Sequence, residues 1–515
     1  MTSSGDLQRS ERSRASEIAL VTAGLCALIA CAVAWSTRGR YILYYGDAQA
    51  HLNISRSVMD SRTPGYDQLG TVWLPLLHVI CLPLVGNDWL WVTGLAGALP
   101  VAVCFVIAGL FFYLAAKLAY GSLLAAATVL LCFALNPNVL YLGSIPMTEI
   151  VFLAAFAVFL FALFRFRQAY GRKWIALGVL ASWCMSLTRY DGWFLIPFAA
   201  IAFATFSPQP RWSVLVAFGG LASLAPLFWL AHNWWETSNP LDFYNGPYSA
   251  WAIQGDKPYP GYHNWFVAVG YYAVAAELCA GWCLTLLGLA GVVCAFKKRV
   301  FAPISLLLLP PLFYVWSLHS SRNPIFVPQL PPHGYYNTRY GIAAVALAGF
   351  AAGAIVLALP PKWKRFAFVV PLLSLAPWLL RPSKQNWVCW KESQINSRSR
   401  LAWTNAAAEF LRTNYRGGQG ILIVSGTGDI SGILCRAGIP LREALHIGNG
   451  PAWYAHTIRP DLVHRQRWAI AQSGDTVSKM MRTAGQPIYR LAERIEVHDA
   501  PALQIFERHD IPEPR

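Results

Sequence analysis

Apolar runs of 17 to 25 residues recur through the first 380 positions of the chain, separated by short basic clusters. A run of this length can cross the roughly 30 Å hydrocarbon layer of a bilayer as a single helix. Because the runs are continuously apolar rather than alternating, they favour helices over the strands of a closed barrel. Only 13% of the residues are charged, against about 25% in soluble domains. The sequence therefore predicts a polytopic α-helical membrane protein.

The basic clusters predict how the spans are oriented, since positive charge concentrates on the cytoplasmic side. Placing the clusters at 9–14, 165–173, 297–299 and 362–365 inside gives about eleven spans and a cytoplasmic N-terminal tail, 1–17. The predicted spans are 18–36, 89–116, 121–141, 149–165, 174–189, 193–206, 213–231, one within 266–296, 301–317, 341–359 and 366–380.

Two regions carry structure outside the predicted spans. The first outer loop, 37–88, contains two expected membrane-surface helices and belongs to a transmembrane catalytic domain, 18–381. Residues 382–515 have the composition of a soluble protein, and alternating strands and helices predict a small extracytoplasmic α/β domain there. The predicted surface helices are 47–60 and 73–84; the C-terminal elements are a helix at 401–412 and strands at 420–425, 468–472 and 503–507.

The net charge of +16 does not indicate a nucleic-acid partner, because the basic residues lie in short clusters between apolar runs. Nine of the eleven cysteines lie in or beside apolar segments. Cys389 and Cys435 fall in the polar C-terminal region, and whether they form a disulfide is open. The glycine-rich run 425–428 lacks the lysine of a phosphate loop and predicts a turn.

Ionisable residues gather on the predicted outer side, although such residues are costly near a membrane. Asp47 and His51 lie one helical turn apart in the first outer loop. The others are Glu149 at the start of the fourth span, Arg189 and Asp191 between the fifth and sixth, and Arg322, His333, Asn337, Arg339 and Tyr340 on or beside the last outer loop. Purely structural roles stay open for Asp191 as a helix cap, Glu149 at a helix N-terminus and Arg339 as a snorkelling side chain.

A lipid-phosphate-linked sugar accounts for these residue types. Its phosphate lies at headgroup depth, where arginine can bind it through two hydrogen bonds. Transfer of the sugar to an acceptor hydroxyl needs a base placed to take the proton. The lipid phosphate is already a good leaving group, so stabilising its charge matters more than protonating it.

The order of these features resembles the GT-C class of polyprenyl-phosphate-sugar-dependent glycosyltransferases, which includes protein O-mannosyltransferases and lipid A aminoarabinose transferases. The resemblance covers about residues 18–380. It rests on Asp47 after the first helix, the amphipathic first loop, Trp73-Leu74-Pro75-Leu76-Leu77-His78, Asn136-Pro137-Asn138, Pro146-Met147-Thr148-Glu149, Thr188-Arg189-Tyr190-Asp191-Gly192 and Asn337-Thr338-Arg339-Tyr340.

The resemblance implies that Asp47 is the catalytic base and that Arg189 and Arg339 contact the donor phosphate. Glu149 and Asp191 would support these groups or face the acceptor. The remaining expected substrate-binding residues are His51, Trp73, His78, Arg322 and Tyr340, although His78 also fits a packed histidine. Many relatives have two adjacent acids where this chain has Asp47-Ala48, which makes a metal-assisted mechanism less expected. No cofactor is predicted, and a requirement for a divalent metal stays open.

The sequence thus predicts an inverting glycosyltransferase of a bacterial inner membrane. It would move a sugar from a polyprenyl-phosphate donor to a hydroxyl of a glycan, lipid or protein at the outer face. Two alternatives stay open. One is a ligase or polymerase of lipid-diphosphate-linked glycans. The other is a secondary transporter of an anionic substrate, although such sites usually lie near the bilayer midplane between repeats.

Overall fold

The computed structural model divides the chain into two compact units. The helical unit combines Met1–Arg38 with Val101–Glu392, and the α/β unit combines Gly39–Pro100 with Ser393–Arg515. The predicted domain boundary at residue 381 stays a prediction. The structure describes residues 4–208, 210–425, 432–458, 466–483 and 489–509.

Most described residues lie in α-helices. In chain order these are α1 (Ser4–Arg38), α2 (Gly46–Ser57), α3 (Leu76–Val85), α4 (Asp88–Thr93), α5 (Leu95–Tyr120), α6 (Leu123–Ala134), α7 (Pro137–Gly143), α8 (Thr148–Ala169), α9 (Arg172–Ser186), α10 (Asp191–Thr205), α11 (Arg211–Thr237), α12 (Asp242–Asn245), α13 (Ala250–Gln254), α14 (Trp265–Ala280), α15 (Trp282–Lys297), α16 (Ala302–Leu307), α17 (Leu309–Ser320), α18 (Ala343–Ala358), α19 (Val369–Leu380), α20 (Val388–Asn414), α21 (Gly432–Ala437), α22 (Pro451–Ile458) and α23 (Thr476–Thr483). Short 3₁₀ segments occupy Tyr66–Leu69, Thr338–Ile342, Pro361–Phe366, Lys384–Asn386, Leu441–Glu443 and Ile447–Asn449.

The described residues contain seven helical stretches long and apolar enough to cross a membrane, or nine if two bent pairs each count as one span. The stretches are Ala15–Arg38, Leu95–Tyr120, Thr148–Ala169, Arg211–Thr237, Ala302–Ser320, Thr338–Ala358 and Pro361–Leu380. The chain is therefore an integral membrane protein with the predicted helical architecture. The predicted count of about eleven spans stays a prediction. The predicted fifth and sixth spans correspond to α9 and α10, which have 15 residues each and are shorter than these seven stretches.

Two broken helices meet, and side chains at one break pair backbone carbonyls at the other. Pro137 begins α7 after a 67° bend from α6, and Asn136 caps that helix by accepting hydrogen bonds from backbone N–H groups. A second break, of 109°, separates α14 from α15 at Gly281, whose φ is +82°. The side-chain amides of Asn136 and Asn138 each donate to the Cys279 carbonyl over 3.0 Å. The two asparagines therefore pair a carbonyl that the break in α14 leaves without a helical partner.

The α/β unit contains a five-stranded sheet in the order β2-β1-β3-β5-β4. The strands are β1 (Ile421–Leu422), β2 (Ala444–Leu445), β3 (Trp468–Gln472), β4 (Tyr489–Ile495) and β5 (Leu503–Arg508). β1 pairs in parallel with β2 and β3, whereas β3–β5 and β4–β5 are antiparallel. This sheet confirms the predicted small C-terminal α/β domain; β2 and β4 were not predicted. The last three residues of the glycine-rich run 425–428 lie outside the described residues.

The first loop and the C-terminal segment form one unit through buried polar contacts. Asp60 of the loop accepts a hydrogen bond from Arg56 Nε (2.8 Å) and another from the backbone N–H of Leu441 (3.2 Å). Its second oxygen accepts from Arg442 Nη1 (2.9 Å). The side chain of Asp60 is 6% exposed, so loss of these donors would leave a buried carboxylate without partners.

His446 makes the stability of this unit sensitive to pH. Its Nδ1 accepts a hydrogen bond from the backbone N–H of Gly448 (3.1 Å), and the backbone N–H of His446 donates to Asn449 Oδ1 (2.9 Å). Burial, with a smaller effect of Arg62, lowers the pKa of His446 from 6.5 to about 4. The folded imidazole therefore stays neutral where the unfolded one takes up a proton. The contribution of His446 to folding stability is complete above pH 6.5 and is lost as the pH falls toward 4.

We expect the wild type to lose about 2 kcal/mol of unfolding free energy through His446 between about pH 6.5 and pH 5. His446→Asn should remove this slope, because asparagine caps a helix but does not titrate. The measurement is the difference in thermal midpoint between wild type and variant across that range. His498→Asn is the control, since His498 is 92% exposed. A slope equal in wild type and His446→Asn would contradict the prediction.

Candidate functional site

Five charged side chains of the helical unit form one buried cluster. Each is at most 13% exposed. Two arginines and three carboxylates give the cluster a formal charge of −1. We call this the charge cluster; its members are Glu149, Arg189, Asp191, Arg339 and Glu392.

The first turn of α8 and the turn between α9 and α10 supply three members of the cluster. Glu149 lies in the first turn of α8, and Asp191 is the first residue of α10. Gly192 allows α10 to begin very close to the end of α9, because a Cβ there would lie 2.5 Å from the carbonyl carbon of Met185. This tight turn holds Arg189 and Asp191 together.

The segment Thr338–Ile342 supplies Arg339. It lies against α14, where a Cβ on Gly341 would be 2.2 Å from the carbonyl oxygen of Ala275. Only glycine permits this approach. The sequence Thr338-Arg339-Tyr340-Gly341 therefore places its arginine by backbone packing.

Glu149 bridges the two arginines. Its Oε1 accepts a hydrogen bond from Arg189 Nη1 (3.2 Å) and another from Arg339 Nε (3.1 Å). Its Oε2 is buried and has no hydrogen-bond partner among the described residues. Arg189 Nη1 also donates to Thr148 Oγ1 (2.7 Å), so the start of α8 fixes one edge of this guanidinium.

Tyrosine and aspartate hold the other edge of Arg189. Its Nε donates to the Tyr314 hydroxyl (3.1 Å), which in turn donates to Asp191 Oδ2 (2.9 Å). The Tyr340 ring stacks on Tyr314 at a centroid distance of 4.9 Å. It also lies 5.1 Å from Arg189 Cζ and 5.4 Å from Arg339 Cζ. The two guanidiniums thus share one aromatic ring, and aromatic rings attract cations.

Glu392, which sequence reasoning missed, completes the cluster from the first turns of α20. The residue is fully buried and accepts hydrogen bonds from Arg339 Nη1 (2.9 Å) and from the backbone of Asn337 (3.0 Å) and Arg339 (3.1 Å). Burial raises the pKa of Glu392, while Arg339 and these hydrogen bonds act in the opposite direction. All the surrounding groups donate to it, which fits an ionised carboxylate.

Asp47 and a histidine pair lie in the α/β unit. Asp47 is half-buried in the first turn of α2, and His51 follows one turn later. His51 Nδ1 lies 2.9 Å from His78 Nε2, and the His51 ring packs on Trp73 at 4.7 Å. Burial and the neighbouring His51 lower the pKa of His78 well below 6.5. The pair therefore contains a neutral His78 that shares a hydrogen bond with His51.

Arg400 of α20 anchors the backbone that leads to Asp47. Its Nη2 donates to the carbonyls of Leu43 (3.0 Å) and Tyr44 (2.7 Å). A Cβ on Gly46 would lie 3.8 Å from Arg400 Nε, so the guanidinium flanks the residue before Asp47. No sequence motif indicated this contact, because almost 360 residues separate the two segments.

The structure brings together Glu149, Arg189, Asp191, Arg339 and Tyr340 in one unit, and His51, Trp73 and His78 in the other. Arg322 lies apart from the charge cluster: its Nη2 is 3.1 Å from Asp256 and its Cζ is 4.0 Å from the Trp251 ring. The predicted substrate roles of all these residues, and of Asp47 as base, stay predictions. Within the part of the chain that the structure describes, no three His, Cys, Asp or Glu residues are grouped to hold a metal ion.

Solved structures with a similar fold exist for this chain. The crystal structure of ArnT from Cupriavidus metallidurans bound to undecaprenyl phosphate has a TM-score of 0.55 at 13% identity, and the alignment covers 94% of this chain and 98% of ArnT. The same protein in the apo state gives a TM-score of 0.53 at 12% identity over the same shares. No family model and no curated protein matches the sequence. At 12–13% identity, this structural similarity establishes the fold alone.

Proposed function

Because the chain has the fold of the GT-C class of glycosyltransferases, we propose that it transfers a sugar from a polyprenyl-phosphate donor to an acceptor hydroxyl. The observation that carries the proposal is the charge cluster, in which two buried arginines share one carboxylate and one aromatic ring. The ArnT structure with undecaprenyl phosphate supports a lipid-phosphate ligand for this fold. The acceptor would be a glycan, lipid or protein at the outer face of a bacterial inner membrane.

In this mechanism Asp47 takes the proton from the acceptor hydroxyl. The acceptor oxygen then attacks the anomeric carbon, and the bond from that carbon to the phosphate oxygen breaks on the opposite face. The configuration is inverted, and polyprenyl phosphate leaves with the bonding electrons. Arg189 and Arg339 stabilise the leaving phosphate, whose negative charge increases as the bond breaks.

Arg189 is the better placed of the two for a direct phosphate contact. Its side chain is 13% exposed, and its Nη2 donates no hydrogen bond among the described residues. Arg339, in contrast, is bound by Glu149 and Glu392 on two edges. We therefore assign the direct phosphate contact to Nη2 of Arg189 and a supporting charge to Arg339.

The function is tested with purified protein in liposomes and a panel of radiolabelled polyprenyl-phosphate sugars. We expect label to move from at least one donor to an added glycan, lipid or protein acceptor, and nucleotide sugars to support no transfer. Transfer only from a lipid-diphosphate-linked glycan would replace the proposal with a ligase or polymerase. Uptake of an anionic solute without bond cleavage would replace it with a transporter.

Arg400→Gln should lower turnover about tenfold, since a charge-assisted hydrogen bond contributes about 1.5–3 kcal/mol. The expected cause is a displaced Leu43–Tyr44 backbone, and with it a displaced Asp47. The measurement is the initial transfer rate at saturating donor. Arg398→Gln, two residues earlier on the same helix and exposed, is the matched control. Equal rates in the two variants would show that Arg400 does not position the base.

A further inference from the structure

Among the described carboxylates that contact Arg339, Glu392 accepts the most hydrogen bonds. It accepts from the backbone N–H of Asn337, the hydroxyl of Thr338, the backbone N–H of Arg339 and Arg339 Nη1. A carboxylate offers about four lone-pair positions, so these four donors use its full capacity. Glu392 is 0% exposed and therefore has neither room nor lone pairs for a substrate.

Three consecutive residues supply all four donors, and Arg339 is one of them. Asn337 has a φ of +54°, a left-handed conformation that is uncommon outside glycine. The hydrogen bond from its N–H to Glu392 holds this turn, which leads directly into Arg339. Glu392 thus fixes the backbone that carries Arg339 as well as its side chain.

The guanidinium of Arg339 is held along two edges by two acids. Nη1 binds Glu392 over 2.9 Å, and Nε binds Glu149 over 3.1 Å. A planar group with two edges fixed has one orientation left. The Arg339 guanidinium also contacts the Tyr340 ring, which Arg189 contacts as well. This is the arrangement by which surrounding groups preorganise a binding side chain.

We propose that Glu392 is a positioning residue, contributed by α20, that orients Arg339 toward the phosphate of the lipid-linked donor. The inference rests on the proposed function for the identity of the ligand. It adds a residue beyond the segment, 18–380, in which the sequence resembles the GT-C class. Glu392 acts only through Arg339, so its effect should disappear when Arg339 is absent.

The test is a double-mutant cycle with Glu392→Gln, Arg339→Gln and the double variant. In the wild-type background we expect Glu392→Gln to raise the donor KM about tenfold, the effect of one charge-assisted hydrogen bond. The acceptor KM should not change, which separates donor positioning from general damage. In the Arg339→Gln background the same substitution should change donor kcat/KM less than about twofold. Equal losses in both backgrounds would overturn the inference.

A matched control and a milder variant accompany the cycle. Glu409→Gln alters an acid on the same helix whose side chain is 73% exposed, and it should leave both KM values unchanged. Thr338→Val removes one of the four donors to Glu392 with little change in shape. If Glu392→Gln does not fold, Thr338→Val should still raise the donor KM, and an unchanged donor KM would overturn the inference.

Thermal midpoints of the same four proteins test the contact without any substrate. We expect the losses of Glu392→Gln and Arg339→Gln to be clearly non-additive, because each removes the same hydrogen bond. If the wild type transfers no lipid-phosphate sugar but the midpoints are coupled, the proposed function fails and the Glu392–Arg339 contact stands. If the wild type is active and neither the midpoints nor the donor KM values are coupled, the positioning role fails and the function stands.

Discussion

Asp47→Asn should reduce the transfer rate by about 10²–10⁴-fold, the usual contribution of a general base. Asparagine preserves the size and the hydrogen-bonding shape of the side chain, but it cannot accept the proton of the acceptor hydroxyl. The donor KM should change little, because donor phosphate binding is assigned to the arginines. The measurement is single-turnover transfer of labelled sugar by wild type and variant reconstituted at equal density.

The control for this experiment is Asp67→Asn. Asp67 is an exposed acid in the same first loop, and its loss removes the same formal charge. Its rate should remain within about twofold of wild type, since surface substitutions rarely have larger effects. A rate for Asp47→Asn close to that of Asp67→Asn would exclude Asp47 as the base. If Asp67→Asn showed no transfer activity, the first loop as a whole would be sensitive to the loss of a charge.

The sequence predicted the helical membrane architecture well because long apolar runs partition into lipid, where the backbone must form a helix to satisfy its own hydrogen-bonding groups. It also predicted that Glu149, Arg189, Asp191 and Arg339 have a common location, since each lies at the end of an apolar run. What it could not predict was the pairing among them. The single Glu149 oxygen shared by two arginines depends on the tight turn at Gly192, which hydropathy does not encode.

Residues that act from the C-terminal region were not predicted for a different reason. Glu392 and Arg400 lie on α20, a mostly polar helix whose sequence is typical of a soluble domain. Their partners are 53 and about 356 residues away, and no local pattern links such distant positions. The roles of Glu392 and Arg400 become visible only in the tertiary structure, which places each buried charge beside its partner.

The broken helices had a partial signal in the sequence. Asn136-Pro137 has the residues of a helix start, but the predicted span 121–141 ran through it as one helix. No sequence pattern indicated the break at Gly281, because glycine is frequent within membrane helices. Residues 266–296 were therefore read as containing one span, whereas α14 and α15 meet there at 109°.

Arg189→Met should destabilise the helical unit by about 3–5 kcal/mol, the typical cost of removing one partner from a buried ion pair. Arg189 contacts Thr148, Glu149, Asp191 and Tyr314, so its loss removes donors from several buried oxygens at once. Methionine fills a similar volume, which limits the contribution of a cavity. The measurement is resistance to unfolding by sodium dodecyl sulfate, followed by circular dichroism in mixed micelles.

Two further variants identify the cause of this loss. Arg172→Met, at the exposed start of α9, removes the same charge from the surface and should cost less than about 0.5 kcal/mol. Adding Asp191→Asn to Arg189→Met should restore part of the stability, because the uncompensated buried charge is then gone. If the double variant is less stable than Arg189→Met alone, the destabilisation comes from lost packing, and the charge cluster is not held together by electrostatic pairing.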